Sequence, residues 1–358
     1  MNRNSIPHSN NRPTVGFAFS GASSRSVFYI GFLEVLEENG FPIDYISAMS
    51  GGAVVAASFA CGTLPALKQM ALGMDKELIF NLIERSKGRG GLYHLDKVEA
   101  LLRVYTKNKK FEEVNPRLSF VTTDISATDP KNSEVTLQVG DIAKAVCASC
   151  TLPGVFQPFE WGNKQLLDGG IINIVPGNVA REANMDVVIG VDMRATRHIF
   201  SSWQIMLKKS LDLIKQILWP SQINQLWRNF KGILDYEDAL GAYENVDRLH
   251  DKTLYPGIFT VLDKAIGLAI KAQKEQEKDE NYNCDIILTP DVAPPTFWKR
   301  YLYLHFTDFS STEEYYKAGR RVALQNLPGL WQLLSDKESE LNSREEKVKS
   351  LLKTTIND

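Results

Sequence analysis

The opening of the chain alternates between strand-like and helix-like segments, and this alternation restricts the fold more than any other feature of the sequence. Residues 14–20 (TVGFAFS) form a β-prone run that stops at Gly21, and apolar residues at helical spacing follow. A second β-prone run covers 43–49, and the small-residue segment from Gly51 to Gly62 predicts a second helix. This order is typical of an α/β fold with a mostly parallel sheet, in which ligands bind at the carboxyl ends of the strands.

Later segments add further predicted strands on both sides of a mainly helical region. Further strands are predicted at 118–123, 165–167, 187–191 and 286–288. Residues 201–280 have a mainly helical pattern, and 335–353 form a charged amphipathic helix. At the start of the first helix, Ser24 or Ser26 is expected to cap the free N–H groups.

The sequence contains no internal repeat and no linker rich in Gly, Ser or Pro, so we expect one α/β domain with helical elaborations. The expected organisation is a flexible tail at 1–13, the domain at 14–325 with a helical, membrane-facing insert at about 201–280, and a charged C-terminal helix at 326–358.

Composition excludes several classes of protein. Lys plus Arg total 41 against 43 Asp plus Glu, so the chain lacks the basic excess of a nucleic-acid-binding protein. Hydrophobic residues make up 44%, which is enough for a core and argues against disorder. The four cysteines are too few and too scattered for a disulfide framework.

The sequence shows no targeting or membrane-spanning segment. Its polar start has no apolar signal-peptide region, and no run of residues is apolar enough to span a membrane. We therefore expect a cytoplasmic protein, although export by a route without a cleaved signal would leave no trace in the sequence.

The sharpest local feature is the run Ala48-Met49-Ser50-Gly51-Gly52 between a predicted strand and a predicted helix. In a nucleophile elbow, the serine occupies a strained turn and needs small neighbours, and its hydroxyl projects from the sheet at a helix N-terminus. Ala48 replaces the first glycine of the usual G-x-S-x-G pattern, which a backbone with negative φ tolerates. Taken alone, the run also fits a close-packed crossing from strand to helix.

Two further segments have the composition of ligand-contacting turns. The first, residues 20–26 (SGASSRS), follows the first strand and opens a helix, so its N–H groups can bind an anion. It lacks the Lys-Ser/Thr of a phosphate-binding loop, which leaves an oxyanion hole or an ordinary helix cap. The second is Leu167-Asp168-Gly169-Gly170 at the end of a strand, which taken singly is an ordinary Asp-Gly turn.

In this order, the three segments resemble the patatin-like phospholipase family, whose members carry a glycine-rich oxyanion loop, a G-x-S-x-G serine and a D-G-[GA] aspartate. The likeness runs from about Thr14 to about Leu324. Further matches are 42–46 (PIDYI), 148–156 (ASCTLPGVF), Asn173, Pro176, Asp308-Phe309 and Gly319. The oxyanion loop departs from the family because it keeps only Gly21 and has Ser23 and Ser26 at the other glycine positions.

The resemblance implies a three-layer α/β fold and a lipid acyl hydrolase that acts on a lipid or phospholipid and needs neither a metal nor a cofactor. It implies Ser50 as the nucleophile and Asp168 as the general base, with no histidine. It also implies an oxyanion hole at Gly21, Ala22 and Ser23, supported by Arg25, Gly51, Gly52, Gly169 and Gly170. Because a free aspartate has a pKa of about 3.9, burial must raise the pKa of this base. A weakly active or non-catalytic lipid-binding member of the same fold is the alternative.

A Ser–Asp–His triad and a zinc site are the alternatives to the serine–aspartate pair. The histidines are His8, His94, His198, His250 and His305, and a Ser–Asp–His triad would need one of the last three, none of which lies in a small-residue turn. Cys147 and Cys150 form a C-x-x-C without the second pair that a zinc site needs, so structural cysteines are expected.

Residues 203–231 contain three tryptophans and five basic residues against a single acid, Asp212. Such a basic amphipathic pattern suits a membrane interface, although a core-facing helix is equally consistent with it. We therefore expect peripheral membrane contact here, while the sequence identifies no protein partner.

Overall fold

The computed structural model describes residues 12–74, 81–82, 84–86, 90–127, 132–193, 257, 261–262, 264–265, 267–269, 282–290, 292 and 311–356, with side chains up to 347. Several predictions fall outside these residues: most of the tail at 1–13, most of the insert at 201–280 including 203–231, the Asp308-Phe309 match, and His8, His198, His250 and His305.

The described strands form two sheets. They are β1 (Val15–Phe19), β2 (Tyr45–Ala48), β3 (Glu84–Arg85), β4 (Gly91–His94), β5 (Arg117–Asp124), β6 (Glu134–Leu137), β7 (Gly154–Phe156), β8 (Phe159–Trp161), β9 (Lys164–Asp168), β10 (Val187–Val191) and β11 (Ile286–Leu288). The main sheet has the order β11-β10-β1-β2-β5-β9-β8, with β6 also paired to β5, and β3, β4 and β7 form a small second sheet.

The described helices flank the main sheet. They are α1 (Val27–Glu38), α2 (Gly51–Ala60), α3 (Leu64–Leu72), α4 (Asp96–Thr106), α5 (Ile142–Ser149), α6 (Gly177–Glu182) and α7 (Thr312–Ile356). The predicted fold class, a mostly parallel sheet between helices, is confirmed. Among the described helices, none combines the length and the apolar character that crossing a membrane requires.

The centre of the sheet is parallel and fully buried. Strand β1 pairs in parallel with β10 on one side and with β2 on the other, and β2 pairs in parallel with β5. All five residues of β1 and of β10 are buried, as expected for parallel strands that helices cover on both faces. The parallel order aligns the carboxyl ends of β1 and β2, so the segments that follow them leave from the same edge.

Helix α1 packs against α7 at a point where each contributes a glycine. A side chain at Gly31 would collide with the Tyr316 carbonyl, and one at Gly319 would collide with the Phe28 carbonyl. Nearby, Arg320 forms ion pairs with Glu34 at 3.3 Å and with Glu38 at 2.7 Å. Because α1 begins directly after residues 20–26, its packing on α7 also helps to fix the position of that segment.

The predicted strands at 14–20, 43–49, 118–123, 165–167, 187–191 and 286–288 are all present to within two residues, and the predicted helix from Gly51 is α2. The short strands β3, β4, β6, β7 and β8 and helices α3–α6 were not predicted. Strands of two to four residues are too short to show a clear periodicity in the sequence.

Two predictions about the helices are wrong. Neither Ser24 nor Ser26 caps α1 with its side chain; residues Ser23–Ser26 instead form a 3₁₀ turn that continues directly into the helix and shields its first N–H groups. The last helix begins at Thr312 rather than at 335, so the predicted boundary at 325/326 falls inside α7. Gly319 and Pro328, which usually mark helix ends, lie within α7, where its packing on α1 outweighs their low helix propensity.

Candidate active site

Two of the three predicted segments meet because β1 and β2 are parallel neighbours. Phe19, the last residue of β1, lies opposite Ala48, the last residue of β2. The segments that follow are therefore in contact: a side chain at Gly21 would come within 2.5 Å of the Met49 sulfur and 2.8 Å of Ser50 Cβ. Glycine at position 21 is required by this close approach.

Ser50 occupies the strained turn of a nucleophile elbow. Its backbone has φ 51° and ψ −131°, a region that L-residues other than glycine rarely adopt, and α2 begins at the next residue. Ala48 lies within β2 and is not among the residues with positive φ, so its methyl group causes no strain. Gly51 and Gly52 have no room for a side chain, since Cβ atoms there would meet the Ser26 hydroxyl and the Ser20 carbonyl, respectively.

Asp168 reaches the elbow through the pairing of β5. Strand β6 pairs with one edge of β5 over Phe120–Thr123, which leaves the other edge to β2 and β9. On that edge, Ala48 lies opposite Phe120 and Asp168 lies opposite Thr122, and β9 runs antiparallel to β5. The carboxyl ends of β2 and β9 therefore point toward each other, which brings position 168 next to position 50.

The Asp168 carboxyl is 1% exposed, and only one of its oxygens is fully engaged. The Gly170 N–H donates to Oδ1 at 2.8 Å, whereas Oδ2 accepts no hydrogen bond of normal geometry from any described residue. The Ser50 hydroxyl is nevertheless close enough to lower the pKa of this carboxyl, so the contact is longer or less well aligned than a full hydrogen bond. Such contacts often tighten when a substrate binds.

Burial outweighs these hydrogen bonds and raises the pKa of Asp168 from 3.8 to about 6. A raised pKa makes the carboxylate a stronger base, which an aspartate needs if it is to accept a proton from a serine. A side chain at Gly169 would collide with the backbone carbonyl of Val121, whereas one at Gly170 would have to displace the methyl group of Met49.

The oxyanion loop predicted at Gly21, Ala22 and Ser23 presents free N–H groups. None of these three N–H groups donates a hydrogen bond to any residue that the structure describes. Ser23 has φ 53°, so serine takes the left-handed conformation at a family glycine position, at a cost of about 1–2 kcal/mol. Arg25 anchors the loop by donating from Nη1 to the Met193 carbonyl at 2.9 Å.

Three residues beside Ser50 and Asp168 had no predicted role in the site, although Cys150 was expected to be a structural cysteine. The Ser149 hydroxyl accepts a hydrogen bond from the Ser50 N–H at 2.9 Å. At the next residue, burial and the nearby charge of Asp168 raise the pKa of the Cys150 thiol. The Thr151 carbonyl accepts a hydrogen bond from the Asp168 N–H at 2.8 Å. The only sequence signal was the family likeness of 148–156, which assigns no role to these side chains.

The alternative sites lie elsewhere or outside the described residues. His94 lines a separate groove of about 560 Å³, together with Glu99 and Trp161, and neither Ser50 nor Asp168 contributes to its walls. Cys147 lies in the hydrophobic core, as predicted for a structural cysteine. Within the described residues, no group of three or more His, Cys, Asp or Glu side chains is placed to hold a metal ion.

Comparison with known proteins gives one family match, several relatives and one solved structure. Residues 17–181 match the family model described as patatin-like phospholipase, a range that includes Gly21, Ser50 and Asp168. An uncharacterized NTE family protein of Mycobacterium tuberculosis is 28% identical over 184 residues, which are 51% of this chain and 50% of that protein. Patatin-like phospholipase domain-containing protein 6 of Mus musculus is 28% identical over 191 residues, covering 50% of this chain and 13% of the mouse protein.

The chain thus spans about half the length of the mycobacterial relative and a smaller share of the mouse protein. Among solved structures, VipD from Legionella pneumophila is 14% identical, with a TM-score of 0.40 over 87% of this chain and 67% of that one. This structural similarity is too low to support an argument about function.

Proposed function

We propose that the chain cleaves carboxylic esters of lipids through an acyl intermediate on Ser50. The proposal rests on the match of residues 17–181 to the patatin-like phospholipase family model, since that family implies lipid acyl hydrolase activity. Asp168 is the proposed general base, and the N–H groups of Gly21, Ala22 and Ser23 are the proposed oxyanion hole. The proposed substrate is a phospholipid or lysophospholipid, and no metal or cofactor takes part.

The proposed reaction has two halves. Ser50 Oγ attacks the ester carbonyl carbon while its proton moves to Asp168 Oδ2, and the negative charge that develops on the carbonyl oxygen is stabilised by the N–H groups of residues 21–23. When the tetrahedral intermediate collapses, the alcohol leaves with the proton from Asp168. Water then attacks the acyl-serine with Asp168 again as base, which releases the fatty acid and restores the Ser50 hydroxyl.

One observation carries the proposal more than any other: the Ser50 hydroxyl faces a buried carboxyl whose Oδ2 has no other partner among the described residues. The carboxyl is held in place by the Gly170 N–H on Oδ1. With its pKa at about 6, the carboxyl is a stronger base than a free aspartate and is still ionised at neutral pH.

The direct test measures fatty acid release by the full chain from phospholipid and lysophospholipid vesicles, alongside covalent labelling by a fluorophosphonate probe. We expect release with both lipids and labelling of Ser50 identified by peptide mapping. Labelling at another residue, or lipid hydrolysis that the probe does not inhibit, would contradict the proposal.

The pH dependence provides a second prediction. Because Asp168 must be deprotonated to accept the Ser50 proton, kcat/KM should rise with pH and reach half of its plateau near pH 6. The labelling rate should follow the same curve, since it requires the same proton transfer. A midpoint near pH 4 would mean that the base is a solvated carboxylate instead.

A second candidate function is supported by one departure from the family pattern. Ser23 adopts φ 53° where the family has glycine, and a misplaced oxyanion loop would leave a lipid-binding protein with little activity. Vesicle binding without probe labelling or fatty acid release would favour this second function.

The remaining proposals concern the parts of the chain around this domain. Of the organisation predicted from the sequence, we keep the tail at 1–13 and the domain that begins at 14, and we move the start of the helical end from 326 to 312, where α7 begins. We also propose a cytoplasmic protein that reaches its substrate by peripheral contact with a membrane. The contact is proposed for 203–231, which lies outside the described residues.

Replacing Lys208, Lys209 and Lys215 with glutamine tests the membrane contact. Each basic residue near an anionic bilayer contributes roughly 1 kcal/mol, so the triple variant should bind anionic vesicles more weakly and with less salt dependence. Hydrolysis of a small soluble ester should be unchanged. Vesicle binding equal to that of the wild type across a salt series would place the contact elsewhere.

A further inference from the structure

The end of helix α5 touches both members of the proposed serine–aspartate pair. We infer that residues Ser149, Cys150 and Thr151, which we call the α5 end segment, position Ser50 against Asp168; this inference rests on the proposed function. Ser149 accepts from the Ser50 N–H and Thr151 accepts from the Asp168 N–H, and Cys150 lies between these two residues in the chain.

Ser149 holds the backbone of the elbow. Its side chain is fully buried, accepts from the Ser50 N–H at 2.9 Å and donates to the Val121 carbonyl at 2.8 Å. Ser50 has φ 51°, a conformation that persists only where the surroundings determine it. The Ser149 hydroxyl therefore supplies the partner that fixes this N–H in its strained turn.

The Ser149 contact also connects the elbow to the strand that carries Asp168. Val121 belongs to β5 and precedes Thr122, which is the register partner of Asp168. The backbone of Val121 also packs against Gly169, the residue after the carboxylate. The Ser149 hydroxyl thus connects the backbone of Ser50 to Val121, which lies next to the register partner of Asp168 in β5.

Thr151 holds Asp168 from the other side. Its carbonyl accepts the Asp168 N–H at 2.8 Å, and its hydroxyl donates to the Cys147 carbonyl at 2.9 Å, which ties it to α5. The carbonyl of Asp168 in turn accepts from the Thr123 hydroxyl at 3.0 Å. The backbone of Asp168 is therefore fixed at both its N–H and its C=O group.

Cys150 lies between Ser149 and Thr151 in the chain, so both of its neighbours are anchored to the proposed pair. Burial, reinforced by the charge of Asp168, raises the pKa of its thiol well above the usual value, so the group is neutral. A neutral thiol can donate its S–H to Ser50 Oγ, which leaves the Ser50 proton directed at Asp168 Oδ2. A charged group at this position would instead repel the ionised carboxylate.

The experiment compares each site variant with a matched buried control. Ser149→Ala is paired with Ser47→Ala, because Ser47 is also fully buried and donates to the carbonyls of Phe17 and Pro176 but not to Ser50. Cys150→Ala is paired with Cys147→Ala, because Cys147 is a thiol of the same helix, three residues earlier, that is buried in the hydrophobic core. The Tm of all four variants is also measured, so that a loss of activity can be separated from a loss of stability within each pair.

We expect Ser149→Ala to lower kcat by about 10- to 100-fold, with KM changed little, because a small displacement of the nucleophile is enough for such a loss. Cys150→Ala should lower kcat by less, and Cys150→Ser, which keeps a donor at that position, should recover most of it. Ser47→Ala and Cys147→Ala should keep kcat within about threefold, as substitutions that leave reacting groups in place usually do. Equal losses in a site variant and its control would overturn the inference.

A readout that does not require turnover separates this inference from the proposed function. The Ser50 hydroxyl lowers the pKa of Asp168, so a displaced Ser50 should shift the midpoint of the Asp168 carboxyl upward in a ¹³C NMR titration. We expect that shift in Ser149→Ala and not in Ser47→Ala. Absence of probe labelling in the wild type would reject the proposed function, whereas identical Asp168 midpoints in wild type and Ser149→Ala would reject the positioning role.

Discussion

Replacing Ser50 with alanine or Asp168 with asparagine should each lower lipid hydrolysis by about 10⁴- to 10⁶-fold, as expected for residues that act as one catalytic unit. Ser50→Ala removes the attacking oxygen, and Asp168→Asn removes the acceptor for its proton. The double variant should be hardly worse than either single variant, because both interrupt the same step. The measurement is kcat/KM on phospholipid vesicles together with the rate of fluorophosphonate labelling.

Stability distinguishes this loss of activity from unfolding. The pKa of Asp168 is raised from 3.8 to about 6 in the folded state, so the folded chain holds this proton more tightly than the unfolded chain. The stabilisation from Asp168 is therefore greatest below pH 4 and is lost as the pH rises through 6. At neutral pH, the buried charge destabilises the fold by up to about 3 kcal/mol.

Asp168→Asn should accordingly be at least as stable as the wild type above pH 7, since asparagine cannot ionise and its oxygen can still accept from the Gly170 N–H. The matched control is Asp141→Asn, which keeps the N-cap of α5 and lies outside the site. It should retain full activity. Retention of more than a few per cent of activity by Asp168→Asn would contradict the assigned base.

The second large effect is expected from proline at position 22. Ala22→Pro removes one of the three N–H groups proposed for the oxyanion hole, and the ring requires φ near −65°, whereas Ala22 has φ −147°. Loss of one oxyanion donor typically lowers kcat by about 10²–10³-fold. Because the segment is also distorted, we expect at least this loss, with KM changed little.

Two substitutions in the same segment serve as controls for Ala22→Pro. Ala22→Gly keeps every N–H group and should retain activity within a few-fold. Ser23→Gly removes the strain of serine at φ 53° and should be stabilising by about 1 kcal/mol, with activity equal to or above that of the wild type. Unchanged turnover in Ala22→Pro would exclude this segment as the oxyanion hole.

The local architecture around Ser50 was predictable because it depends on short-range signals. The strand before Ser50, the small residues around it and the helix after it are encoded within the fifteen positions 48–62 and the run that precedes them. Turn chemistry likewise predicted the segment at 20–26, although the 3₁₀ turn at Ser23–Ser26 replaced the expected serine cap. The start of α7 was mispredicted because Gly319 and Pro328 are tolerated there by packing that no local pattern reveals.

The sequence by itself determined that Ser50 sits in an elbow and that residues 20–26 leave the sheet beside it, because parallel neighbouring strands end at the same edge. Asp168 was named from the sequence only through the family resemblance, and the physical reason that this carboxylate lies beside the serine is found in the tertiary structure. Asp168 lies there because β6 occupies one edge of β5, so that β9 shares the other edge with β2 and the two strands meet end to end. The contacts of Ser149 with Ser50, 99 positions apart in the chain, arise from the same packing. Pairings of this range depend on the register of the whole sheet, which side-chain periodicity in a single strand does not specify.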